Sequence, residues 1–382
     1  MARRFLIASL AIGLVAAGAF AAEDDPPVLA LGSPAPDFDL PGIDGKTHRL
    51  SEYASAKLLV IVFTCNHCPT AQLYESRIKA LAADYGERGV ALVAIQPNNP
   101  QAVRLDELGY TDLSDSFEEM KVRAAYRHFN FPYLYDGETQ KVARAYGPAA
   151  TPHVFIFDQE RKLRYEGRVD DSPRESLVKR HDAREAIEAL LAGKAVSVGA
   201  TPAVGCSTKW MYKEEGRNQE QTGFEAEPVT VQLASADDLR TLRNKPDGKV
   251  RLIDFWATWC EPCVEEFNDL IKLYRMYRHR PFELVLVSTN YPDEKPGVMR
   301  VLEQQHASNR NLLFGTTDKY GLMAAFDRRW NGAVPYTILL DAENQVVYSH
   351  QDRIDPTELK RKIIGTIADD DYIGVRALWN TQ

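Results

Sequence analysis

Apolar and polar residues alternate along this chain in two rhythms, and the same succession of rhythms occurs twice. Residues 36–40 and 47–50 flank Ile43-Asp44-Gly45-Lys46, whose Asp-Gly step marks the tip of a hairpin. Residues 58–63 (LLVIVF) form an unbroken apolar run, the pattern of a strand buried on both faces. After Cys68 the period becomes helical, with Leu73, Ile78, Leu81 and Tyr85 on one face. Residues 90–95 return to a buried strand, and two polar-rich helical stretches follow, up to about His128. Residues 154–157 and 163–166 predict a second hairpin around 158–161, and a helix over 176–191 closes the unit.

Between 193 and 228 periodicity is lost while Gly, Pro, Thr, Glu and Gln accumulate, which predicts a linker. The plan then returns. Residues 252–256 read as a strand, and Val264, Phe267, Leu270, Ile271, Tyr274 and Tyr277 line a helix. Residues 284–287, 336–340 and 346–349 read as strands, and 296–306, 319–326 and 358–367 as helices. The expected division is a signal peptide at 1–21, a first domain at 30–195, a linker at 196–228 carrying Cys206, and a second domain at 229–382.

Composition bounds the function. In 382 residues, 45% hydrophobic against 26% charged supplies two cores. A net charge of -8 with no basic stripe excludes a nucleic-acid surface and leaves proteins or small thiols as partners. Arg3 and Arg4, an apolar stretch from Phe5 to Ala17, and Ala19-Phe20-Ala21 read as an export signal with its cleavage site. The alternative is an uncleaved anchor, and membrane contact is expected only in that case. Export, into a bacterial periplasm, places thiols where disulfides persist.

The chain has five cysteines, and four of them form Cys65-Asn66-His67-Cys68 and Cys260-Glu261-Pro262-Cys263. Each CxxC closes a strand-like run and opens a helical one, and an X-Pro step about eighty residues later opens another strand. That order is the layout of a thioredoxin fold. The expected class is α/β, two thioredoxin folds in tandem joined by a linker. The reacting species is a thiolate, scarce at neutral pH because a free Cys titrates near ~8.5. A helix N-terminus stabilises it through unpaired N–H groups and the macrodipole. Cys65 and Cys260 are therefore the expected attacking residues, with Cys68 and Cys263 resolving. Positive charge on His67 favours the reduced form of the first pair; Glu261 acts in the opposite sense, so the second domain is expected to be more reducing.

Other readings of a CxxC fare less well. A structural zinc site lacks a second ligand pair, and haem attachment fails because Pro69 and Val264 follow the second cysteines. Copper held by Cys65, His67 and Cys68 stays open as a binding-protein alternative. Cys206 is left over, either a redox thiol within reach of Cys65 or a residue packed beside Trp210.

Asp254-Phe255-Trp256-Ala257-Thr258-Trp259-Cys260-Glu261-Pro262-Cys263 resembles the active-site stretch of thioredoxins and of the membrane-tethered thiol–disulfide reductases of cytochrome c maturation. The resemblance implies that Asp254 takes a proton from Cys263 and that Glu266 is an acid beside the dithiol. It further implies that Val334-Pro335 is a cis-Pro pair binding substrate backbone. Trp256 and Trp259 read either as core and surface aromatics or, for an exposed Trp259 beside the dithiol, as an apolar landing patch for partners. Gly32-Ser33-Pro34-Ala35-Pro36-Asp37-Phe38, Phe63-Thr64-Cys65-Asn66-His67-Cys68-Pro69, Tyr146-Gly147 and Thr151-Pro152 resemble the redoxin group of the alkyl hydroperoxide reductase and thiol-specific antioxidant superfamily. Thr151-Pro152 matches that group's cis-Pro pair. Leu59, not an acid, stands at the expected counterpart of Asp254. The Thr that a peroxidase keeps three residues before its reactive Cys is replaced by Cys65 before Cys68 and by Val62 before Cys65. Peroxidase activity is thus the alternative for this half. The expected function is an exported thiol–disulfide oxidoreductase acting on protein thiols and disulfides. Its electrons travel on sulfur, so no cofactor or metal is called for, and an upstream membrane or soluble thiol reductant would supply them.

Overall fold

The computed structural model describes residues 25–368 apart from 112, so the export signal and the last residues lie outside the described part. In the first domain a small hairpin, β1 (Asp39–Pro41) and β2 (Thr47–Arg49), turns at Gly45, whose φ of 78° favours glycine. Then come β3 (Leu58–Phe63), α1 (Pro69–Gly86), β4 (Val90–Gln96), α2 (Phe117–Arg127), β5 (Tyr133–Tyr135) and α3 (Lys141–Tyr146). β6 (Ala150–Thr151), β7 (His153–Phe157), β8 (Leu163–Gly167) and α4 (Asp182–Leu191) complete it. The sheet order is β5-β4-β3-β7-β8, with β3 parallel to β4 and antiparallel to β7.

β3 reads as continuous apolar because it is buried on both faces. Leu58, Val60 and Val62 enter one core with Tyr74, Ile78 and Ile187, while Leu59, Ile61 and Phe63 enter another with Phe38 and Trp210. The buried face of α1 is Tyr74, Ile78, Leu81 and Tyr85; Leu73 lies only half-buried beside it. On the same helix Glu75 accepts from Arg123 at 2.5 Å and Arg127 at 2.7 Å, tying α1 to α2.

Two expectations are corrected here. The helix predicted over 176–191 starts only at Asp182, because Asp171 ties down the preceding strip: Lys179 N donates to its carboxylate and its own N–H donates to Arg180 O. The predicted linker is ordered. It holds β9 (Cys206–Ser207), a fully buried Trp210 in the first domain's core, and α5 (Glu214–Glu225), whose Phe224 enters the second domain's core. Polar composition concealed two anchoring aromatics.

The second domain runs β10 (Gln232–Ala234), α6 (Ala236–Asn244), β11 (Val250–Trp256), α7 (Glu261–Tyr277), β12 (Phe282–Ser288), α8 (Lys295–Gln304) and β13 (Arg310–Phe314). α9 (Lys319–Phe326), β14 (Tyr336–Leu340), β15 (Val346–Gln351) and α10 (Pro356–Thr366) follow, in the sheet order β10-β13-β12-β11-β14-β15. β10, α6 and β13 were not foreseen, although Ser235 and Asp238 form a capping box that announces α6. Among the described residues no helix is long and apolar enough to cross a membrane.

The domains meet through a loop of the first. Tyr110 is buried in the second domain's core against Tyr277, whose hydroxyl donates to Gly109 O. Lys360 Nζ donates to Leu108 O at 2.8 Å and Thr111 O at 2.7 Å. Truncating this ring leaves a void between two cores, so Tyr110→Ala is expected to cost about 3 kcal/mol. Urea unfolding followed by circular dichroism reads the loss; an unchanged midpoint would mean that the contact carries no stability.

Candidate active site

In the second domain β11 delivers its chain directly to the N-terminus of α7, with Cys260 as N-cap and Pro262 in the first turn. Cys260 and Cys263 form a disulfide. Trp259 projects beside it, 65% exposed, whereas Trp256 is buried against Phe267. Val334-Pro335 is cis, and Val334 packs against the core cluster containing both cysteines.

Asp254 and Glu266 are both buried. Asp254 Oδ1 accepts from Thr337 Oγ1 at 3.0 Å and its Oδ2 has no partner; Glu266 Oε2 accepts from Ile354 N at 3.0 Å and its Oε1 has none. Burial, with the Glu266 charge added, holds the Asp254 carboxyl well above its usual range despite the Thr337 bond. Burial pushes Glu266 to about 7, with Asp269 and Asp352 adding to the rise and Ile354 N–H and Arg353 opposing it. Two buried carboxyls of raised proton affinity, each with a free oxygen, are suited to take and return a proton. Glu266 is thus no solvated helix residue.

The first domain is built in a different register. Two residues after each cis-Pro stand Val154 and Thr337, which pair with Val62 and Asp254. Counting forward from those strand positions, Cys68 stands where Cys260 stands, Cys65 where Ala257 stands, and Ala71 where Cys263 stands. Cys68, not Cys65, is the N-cap of its helix, with Pro69 next. This corrects two expectations. The helix terminus serves Cys68 rather than Cys65, and the strand position that matches Asp254 is held by Val62 rather than Leu59. Spacing alone aligned the two CxxC motifs; the strand pairing separates them.

Cys68 Sγ is fully buried and accepts from Ala71 N at 3.4 Å and Cys206 N at 3.3 Å; protonated, it can donate to Thr151 O at 3.2 Å. Burial raises a thiol, yet hydrogen bonds from Cys206 and Cys65 and the His67 charge together hold Cys68 well below its ordinary value. Cys65 moves the other way, raised by burial and by its bond to Cys68, and its Sγ lies 3.1 Å from Thr151 Oγ1. The Thr151-Pro152 bond is cis.

His67 owes its charge to Asp115, a residue that carried no signal in the sequence. Burial opposes an imidazolium, but Asp115 Oδ2 at 2.6 Å from Nδ1 raises the His67 pKa. Asp115 also accepts from Asn66 N at 2.9 Å, His67 N at 3.1 Å and Asn98 Nδ2 at 2.8 Å, and every member of this group is buried. Cys65, His67 and Asp115 come close enough together to suggest a metal. Four donors already occupy both oxygens of Asp115, and the copper alternative at Cys65, His67 and Cys68 does not draw on that carboxylate.

The AhpC/TSA family model matches residues 31–166 and the Redoxin model matches residues 222–366. The thioredoxin-like protein YneN of Bacillus subtilis is 26% identical over 41% of this chain and 83% of its own length. The thiol-disulfide oxidoreductase ResA of Halalkalibacterium halodurans is 27% identical over 27% of this chain and 54% of its own. The thiol:disulfide interchange protein HelX of Rhodobacter capsulatus is 27% identical over 33% of this chain and 65% of its own. The chain thus spans only about half to two thirds of the latter two relatives. Among solved structures, a hypothetical protein of Sinorhizobium meliloti is 35% identical, with a TM-score of 0.43, over 48% of this chain and 97% of its own.

Two outcomes follow from the charges. Asp115→Asn removes the counter-ion of His67, so the thiolate absorbance of Cys68 should titrate roughly one unit or more higher; an unmoved titration would dissociate His67 from the sulfur. Glu266 ionises only as pH rises through about 7, so second-domain exchange should gain an inflection there that Glu266→Gln abolishes. A pH profile identical in both forms would remove Glu266 from the proton path.

Proposed function

The chain is two redoxin/AhpC-TSA domains in tandem, and from that premise we propose a thiol–disulfide oxidoreductase that exchanges electrons with protein thiols and disulfides at Cys260 and at Cys68. The observation that carries the reading is the shared placement of these two sulfurs: each is the N-cap of the helix that follows a central strand, in a domain with a cis-Pro turn. In the second domain a reduced Cys260 attacks a substrate disulfide and forms a mixed disulfide. Cys263 then gives its proton to Asp254, attacks Cys260 Sγ and releases the substrate thiol. Glu266 lies in the same buried acid pair and exchanges that proton onward. Val334 and Thr151 supply backbone to bound substrate, and Trp259 an apolar contact. The leader-like residues 3–21 support export, to a periplasm in a bacterium, with an upstream membrane or soluble thiol reductant. The electrons reside on sulfur, so no dissociable cofactor enters.

A peroxidase reading of the first domain draws on one observation, a depressed Cys68 thiol at a helix N-terminus within the stretch matched by the AhpC/TSA model. Against it, Cys65 stands where the peroxide-organising Thr would be. Peroxide consumption that survives Cys260→Ser/Cys263→Ser would favour it.

The testing measurement is the reduction potential of each domain, taken in Cys65→Ser/Cys68→Ser and Cys260→Ser/Cys263→Ser chains equilibrated with glutathione or dithiothreitol. His67 stabilises the reduced first domain, so that domain should be the more oxidising. The second is expected closer to thioredoxin, about -270 mV, than to about -120 mV. The reverse ordering overturns the assignment of roles, and two domains that never exchange overturn the activity.

A further inference from the structure

The occupant of the first domain's substrate edge is its own chain. β9 lies antiparallel on β6, with Cys206 opposite Thr151 and Ser207 opposite Ala150. Thr151 precedes the cis-Pro, so this pairing takes the edge assigned above to substrate backbone. A Cβ on Gly205 would overlap the Thr151 carbonyl, so the close approach requires glycine there. Downstream, Thr208 Oγ1 donates to Pro148 O at 2.6 Å, Lys209 N donates to Asn98 Oδ1 at 2.8 Å, and Trp210 is anchored in the core. Among the described residues no strand pairs with Val334, the matching edge of the second domain.

The seated segment carries a sulfur. Cys206 packs on Cys65 and Cys68, and its N–H and its thiol both hydrogen-bond Cys68 Sγ. Ala71 fills the place of Cys263, so the helix turn after Cys68 offers no thiol. The remaining candidates are Cys65, one turn earlier, and Cys206, directly across the groove.

We propose that Cys206 is a resolving cysteine for Cys68 and that β9 is the built-in occupant of the groove. The proposal rests on the thiol–disulfide reading of the first domain. The two-residue ladder opens, and the Cys68 thiolate attacks one sulfur of a substrate disulfide. That S–S bond breaks, and the displaced substrate sulfur leaves as a thiolate and takes a proton. β9 then reseats; Cys206 gives up its proton and attacks Cys68 Sγ. The mixed disulfide breaks and the second substrate sulfur leaves and is protonated. The substrate gains two electrons and two protons, and the protein keeps a Cys68–Cys206 disulfide. The electrostatics suit this order: the hydrogen bond to Cys68, with burial, raises the Cys206 thiol, and the Cys68 contribution is lost once that sulfur is bonded in the mixed disulfide and carries no charge.

Oxidised glutathione is the probe, applied to the full chain carrying Cys65→Ser, Cys260→Ser and Cys263→Ser, so that only Cys68 and Cys206 remain. Trypsin leaves Cys68 in peptide 58–77 and Cys206 in peptide 195–209. The expected product joins these peptides with little glutathione retained, and adding Cys206→Ser leaves glutathione on Cys68. Gly205→Ala, which lifts β9, should slow the cross-link several-fold and prolong glutathione on Cys68, with circular dichroism unchanged. The same joined peptides are expected in a fraction of chains that keep Cys65, which covers a folding defect of the triple variant. Glutathione accumulating on Cys68 beside a free Cys206 overturns the proposal and leaves exchange at Cys68 standing. Neither glutathione nor cross-link on any variant overturns the exchange reading itself, and the proposal with it.

Discussion

A sulfur anion kept away from water is unfavourable unless donors and positive charge surround it. The first domain is organised around that constraint at Cys68. The strand β3 brings the chain to the helix terminus, the N–H groups of Ala71 and Cys206 point at the sulfur, and His67 stands beside it as a cation. The cation needs its own partner in the interior, which is Asp115, and Asp115 needs donors, which Asn66, Asn98 and the His67 backbone provide. One charge on sulfur thus accounts for a whole buried polar network.

The second domain treats its sulfur pair differently. On β11 and α7 it carries two buried acids, Asp254 and Glu266, in place of a His–Asp pair. Burial raises the proton affinity of both Asp254 and Glu266, and each has one carboxylate oxygen unpartnered. The first arrangement surrounds a sulfur with donors that lower its proton affinity; the second holds two acids whose proton affinity burial raises. At the matching strand position the two domains differ, with Val62 in one and Asp254 in the other.

Elements with a single strong period were legible in the sequence. β3, α9 and β14 were placed to the residue, since an unbroken apolar run or a clean helical face leaves few alternatives. The two CxxC motifs were legible at helix starts, but the place of each cysteine was not, because CxxC spacing does not say where the helix begins. That is decided by the pairing of Val62 with Val154, a contact between distant parts of the chain. Asp115 escaped notice for the same reason, and so did the seat of Cys206: its partners lie far away in sequence, while local composition predicted only a linker. In the second domain helix start and motif coincide, and Asp254 lies buried on β11 and Glu266 buried on α7.

The loop that holds the domains together carries a second load. Leu108 and Thr111 receive the ammonium of Lys360, and Tyr110 sits among the second domain's core residues. A short way along the same stretch is Asp115, the counter-ion of His67, and just before it is Glu107, paired with Lys209 of the segment that carries Cys206. The joint between the halves is therefore also the mount of the first domain's electrostatics. A shift of the second domain on its seat would be transmitted as a change in voltage at Cys68, with no sulfur having to cross between them.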